Sequence, residues 1–69
     1  MNHVAVKSSN IKSVAYDPAS RRLQVAMSHG KTYEYQGVPP EVHQAYMAAP
    51  SPGQFHAENI RGKYQHMVV

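Results

Sequence analysis

The chain runs to 69 residues, carries seven Lys or Arg against four Asp or Glu for a formal charge of +3, and has no cysteine. A length like this leaves room for one small domain whose core buries only about 60% of the unfolded surface, and without cysteine neither a disulfide nor a thiolate zinc site can staple it. Packing, alone or with self-association, must hold the fold, and the mild cationic surplus suits nucleic acid or an acidic protein as partner.

Residues 1–10 read as an extended N-terminal arm with Lys7-Ser8-Ser9-Asn10 as its polar end. The arm lacks the basic region and apolar stretch of a signal peptide. No apolar run approaches the roughly 20 residues of a membrane helix, so a cytoplasmic protein without membrane contact is expected. Ile11 to Asp17 is the first expected strand, with Val14 and Tyr16 on one face and Ile11, Ser13 and Ala15 on the other. Asp17-Pro18 initiates a turn, since Asp can bond its own backbone and Pro presets the dihedral. In the second strand Leu23, Val25 and Met27 alternate with Arg22, Gln24, Ala26 and Ser28.

Ser28-His29-Gly30 closes a hairpin into a third strand, Lys31 to Gln36, with Tyr33 and Tyr35 on one face. A two-residue loop would pair Ala26 with Tyr33, away from Leu23 and Val25. A three-residue loop with left-handed Gly30 pairs Val25 with Tyr33 and Leu23 with Tyr35. Only the second register segregates an apolar face from a polar one, so it is the one expected.

Gly37-Val38-Pro39-Pro40 ends the sheet and opens a helix over Pro40–Ala49, because proline suits the first helical positions. Val42, Ala45, Tyr46 and Ala49 follow helical spacing, and Pro50 marks the stop. Ser51-Pro52-Gly53 turns the chain into a shorter helical segment near Gln54 to Ile60. Gly62 ends that segment, Tyr64 folds back, and residues 65–69 read as a loose C-terminal tail. The expected fold is α+β: a three-stranded antiparallel sheet with one main helix on one face, the domain proper spanning residues 11–64.

Tyr33 and Tyr35 could form a base-stacking platform, but the chosen register turns both toward Val42 and Tyr46 as core. The five histidines lack the i, i+4 spacing of a helical metal pair, so they are expected as surface residues, with no metal or cofactor. The four carboxylates form no pair with a nucleophile, and no phosphate-cradling glycine loop exists, so catalysis is not expected. Cations are the better lead. Lys7 and Lys12 lie at the arm and first strand, Arg61 and Lys63 flank Gly62, and Arg61 brings a five-donor fork suited to phosphate. Arg21, Arg22 and Lys31 lie on the polar sheet face or its turns. A solvated face and a binding patch both fit this distribution.

Three blocks carry a family resemblance: Val6-Lys7-Ser8-Ser9-Asn10-Ile11-Lys12-Ser13-Val14 with Tyr16-Asp17, then Tyr33-Glu34-Tyr35 with Gly37-Val38-Pro39, then Phe55-His56-Ala57-Glu58-Asn59-Ile60-Arg61-Gly62-Lys63-Tyr64. In this order they resemble the KTSC domain, named for the C-terminus of some lysyl-tRNA synthetases and found also in small proteins of bacteria and their phages. The family's YxY hallmark falls on Tyr33 and Tyr35. The resemblance implies one domain over Val6 to Tyr64, and RNA binding is the role suggested for the family. Members often carry Phe-Asn where this chain has Phe55-His56.

The expected function is a non-catalytic RNA-binding module in which Lys7, Lys12, Arg61 and Lys63 contact phosphates and Asn10 and Asn59 add polar bonds. The alternative is a protein-interaction module, for example a phage-encoded regulator of transcription or translation machinery, docking through an exposed edge strand at Ile11 to Asp17. A monomer or a weak homodimer fits either.

Overall fold

A computed structural model describes all of residues 1–69. It is an α+β fold built on a five-stranded antiparallel sheet in the order β1 (Val4–Ala5), β2 (Ile11–Asp17), β3 (Arg22–Met27), β4 (Thr32–Tyr35) and β5 (His66–Val68). Two helices, α1 (Pro40–Ala48) and α2 (Pro52–Phe55), follow β4, and α2 runs into a π-helical turn at His56–Ile60.

The β3–β4 hairpin has the expected register, Val25 opposite Tyr33 and Leu23 opposite Tyr35. Gly30 adopts φ +109° in the loop, a conformation that L side chains rarely reach. The expected three strands are corrected to five. The arm contributes β1, whose Val4 pairs with Val14, and the C-terminal residues contribute β5, whose His66 pairs with Tyr35. The Val69 amide donates to the Thr32 carbonyl at 2.9 Å, and Gln36 donates to Gln65 at 2.9 Å, framing β5 at both ends. Consequently β2 is an interior strand, and the edge expected at Ile11 to Asp17 lies instead at β1 and β5.

A second correction concerns β2 itself. Ile11 pairs with Met27 but Ser13 pairs with Ala26, so Lys12 sits in a β-bulge. The extra residue brings Ile11 onto the same face as Val14, reversing the strict alternation expected of it. Both are only 1% exposed.

Ile11, Val14, Leu23, Val25, Tyr35, Val38, Tyr46 and Ile60 form one core between the sheet and the helices. Within α1 the buried residue is Tyr46; Val42 and His43 are partly covered, and Ala45 faces solvent, so the apolar stripe is narrower than its spacing implied. Two contacts set the approach of α1. The Tyr16 hydroxyl donates to the Val38 carbonyl at 2.6 Å, and the His43 ring stacks on Tyr16 at 4.5 Å with an 11° interplanar angle. The other sheet face has no helix over it and carries a chain of polar side chains instead.

Candidate functional site

The groove beside the β3–β4 hairpin begins with the start of α2. Ser51 caps that helix by accepting from the Gln54 amide, and Pro52 opens its first turn. Gly53 then lies so close to the β1–β2 loop that a Cβ there would stand 3.3 Å from Ser8 Oγ and 3.8 Å from Asn10 Nδ2. The absent side chain lets the loop close against the helix. The π-helical turn follows, its Arg61 amide donating to the His56 carbonyl at 2.9 Å, five residues back. Buried Ile60 anchors this turn, and Gly62 with φ +78° leads the chain away.

Two depressions meet at Arg61. The larger, about 520 Å³, has Ile11, Met27 and Ala57 as apolar wall and Asn10, Ser28 and Arg61 among its polar lining. The smaller, about 300 Å³, is bordered by Tyr33, Tyr35 and His66 and shares Met27, His29, His56 and Arg61 with the first. Neither is lined by a carboxylate. The aromatic wall is continuous, with His66 5.7 Å from Tyr33 and 5.5 Å from Tyr35 between ring centroids, and His29 edge-on to Tyr33 at 6.3 Å.

His56 sits where the two depressions adjoin, only 6% exposed. Tyr46 Oη lies 2.9 Å from its Nδ1 and Tyr35 Oη 3.2 Å from its Nε2. A neutral imidazole has one donor and one acceptor nitrogen, so it accepts a hydrogen bond from one hydroxyl and donates one to the other. Burial, and then the charge of Arg61, holds the His56 pKa below its ordinary value. Burial likewise raises both tyrosine hydroxyls. The trio is uncharged near neutral pH, and no buried polar side-chain atom in the chain lacks a partner.

The profile of the KTSC domain matches residues 7–64. The chain belongs to the KTSC domain family. A KTSC domain protein from Yersinia pestis superimposes with a TM-score of 0.94 at 39% identity, covering 99% of this chain and 96% of the other. An uncharacterised protein of Stutzerimonas stutzeri is 47% identical over 53 residues, 77% of this chain and 75% of that protein. A lysine–tRNA ligase of Nostoc punctiforme is 37% identical over 57 residues, 83% of this chain but 10% of the ligase.

Within this KTSC domain the hallmark tyrosines divide their work. Tyr35 is core, 3% exposed, and binds His56; Tyr33 is half-buried and shows a ring to the groove. Of the expected contact residues, the fold brings Asn10 and Arg61 together at the groove. Lys7, Lys12 and Lys63 are exposed but do not line it, and Asn59 donates to the Phe55 carbonyl of its own helical turn at 3.4 Å. His56, expected at the surface, is corrected to a buried residue, because two hydroxyls converge on it. Its signal was available: it precedes Ile60 by four residues, so both share a face of the C-terminal helical segment. His29 and His66 also enter the site, and His66 does so only because β5 exists.

Proposed function

We propose that this KTSC domain is a non-catalytic module that binds RNA through the groove face and the cations around it. The observation that carries this reading is the state of Arg61. It forms no ion pair, whereas Arg22 lies within 4 Å of both Asp17 and Glu34. A guanidinium beside a groove without carboxylates is free to take a phosphate in bidentate fashion. Asn10 supplies a neighbouring amide, and Tyr33 and His66 supply ring faces for bases. Lys7, Lys12 and Lys63 add charge outside the groove. The related segment in a protein named lysine–tRNA ligase supports the same reading. Both nitrogens of His56 are engaged by tyrosines, which favours a structural part for it over general-base work.

The test is a fluorescence-anisotropy titration of labelled single-stranded RNA at several salt concentrations. Affinity falls as salt rises, with a slope of about 0.7 per phosphate neutralised. Arg61→Glu with Lys63→Glu abolishes binding while the thermal melt stays unchanged. A wild-type chain that ignores RNA at low salt overturns the proposal.

A second reading, a protein-docking module, is favoured by one feature. The outer edge of β5 is unpaired, and Met67, Val68 and Val69 are 52%, 58% and 57% exposed there. An extended peptide could add to that edge. Docking of this kind survives Arg61→Glu with Lys63→Glu and has little salt dependence.

A further inference from the structure

The groove is divided in two, and Arg61 lines both parts. The larger compartment, about 520 Å³, lies within the roughly 300–1,000 Å³ range of small-molecule sites. A lone phosphate would leave most of it empty. Its wall of Ile11, Met27 and Ala57 suits a flat apolar body, while Asn10 and Ser28 stand on its lining with side chains that make no hydrogen bond within the chain. The second compartment is smaller and is lined by aromatic rings. Tyr33 and His66 meet at 77°, so a flat ring can lie parallel to only one of them while the other closes on its edge. Arg61 is common to both.

We propose that the groove clamps one dinucleotide step of a single strand. The linking phosphate lies on the Arg61 guanidinium. One base enters the larger compartment, its flat face on Ile11 and Met27 and its edge toward Asn10 and Ser28. The neighbouring base stacks in the smaller compartment on the His66 ring, with Tyr33 closing against its edge. The inference rests on the RNA reading and gives it an address. It also sets the form of the ligand, since bases inside a duplex are paired and stacked and cannot splay into two recesses. An acidic peptide would satisfy Arg61 but would leave two recesses built for flat rings without a match.

The experiment is a ¹H–¹⁵N chemical-shift titration of the whole chain with the dinucleotides ApA and UpU. AMP, UMP, inorganic phosphate, a short RNA duplex and an oligoglutamate peptide serve as parallel probes. The expected result is a set of shifts centred on Asn10, Ser28, Tyr33, Arg61 and His66, with a dinucleotide binding at least tenfold more tightly than either mononucleotide. Arg61→Gln weakens the dinucleotide about tenfold. His66→Ala weakens the dinucleotide roughly fivefold or more and the mononucleotides hardly at all, while the ¹H–¹⁵N spectrum away from β5 shows the fold intact. A mononucleotide or the peptide binding as tightly as ApA overturns the clamp, as does a duplex that binds equally well. Long RNA that binds while the groove amides stay unmoved sinks the clamp and spares the RNA reading. RNA that does not bind at low salt sinks both.

Discussion

Glu34 and His56 are equally hidden, each 6% exposed, yet they are stabilised by opposite means. Glu34 lies on the sheet face without helices. It accepts from Gln24 Nε2 at 3.0 Å and from Gln36 Nε2 at 2.9 Å, with Arg22 3.8 Å away. Behind it the chain continues through His3, whose Nε2 lies 3.1 Å from Gln24 Oε1 and whose Nδ1 lies 2.9 Å from Ser13 Oγ. The Gln24 hydrogen bond, aided by Gln36 and Arg22, holds the carboxylate below its ordinary pKa and keeps it charged. His56 lies on the helix-covered side between two tyrosines, where burial keeps it neutral. Low accessibility alone therefore says little about charge. What matters is whether the partners are donors at the rim of water or hydroxyls in the core.

The comparison breaks most visibly at Tyr46, which is fully buried and holds one side of His56. Tyr46→Ala is expected to cost about 3–5 kcal/mol. A domain of this size has a total stability of about 0.05–0.15 kcal/mol per residue, so the loss is about a third of it or more, and urea denaturation should show a midpoint moved far to lower concentration. Next comes His56→Leu, which strands two buried hydroxyls at about 1–3 kcal/mol each. His56→Asn retains one donor and one acceptor and should cost less by about 1–2 kcal/mol. Equal losses for the two variants would show that shape, not hydrogen bonding, sets the requirement at this position.

Acid titration sharpens the contrast. The unfolded chain protonates its histidines near the ordinary value of 6.5, whereas folded His56 resists. Unfolding then takes up protons, so stability is complete above that pH and declines as pH falls below it. His43, also lowered by burial, adds in the same sense. Glu34 acts later. Its depressed pKa contributes stability above its ordinary value of 4.5, lost as pH falls further. Melting temperature against pH should fall in two stages. His56→Asn should shrink the first to the share of His43, and Glu34→Gln should shrink the second, the smallest effect of the series because Asp17 is lowered as well.

The hairpin register was legible because period-two alternation on both strands leaves one pairing that separates apolar from polar. The main helix was legible from its prolines and the position of Tyr46. The edge strands were not. Each needs only one partner, and Val4–Ala5 and His66–Val68 are too short to show a period. The bulge at Lys12 was hidden because an inserted residue looks like an ordinary strand until its partner is known. At the site, Arg61 and Asn10 stood out as unpaired polar residues near turns. The imidazoles did not, since His56 depends on hydroxyls 21 and 10 residues away in the chain, and His66 on a strand that the sequence hid.

The order of the sheet also has a kinetic side. Four strands, β1 to β4, join through short turns, so their pairings close small loops and can form early. The fifth must return across the entire helical segment before its edge is zipped. Pulse-labelled hydrogen exchange during refolding should therefore find the Val69 amide, bonded to Thr32, gaining protection after the Val25–Tyr33 ladder. The His66 side of the groove would then be assembled last, and the Asn10 side would wait for it.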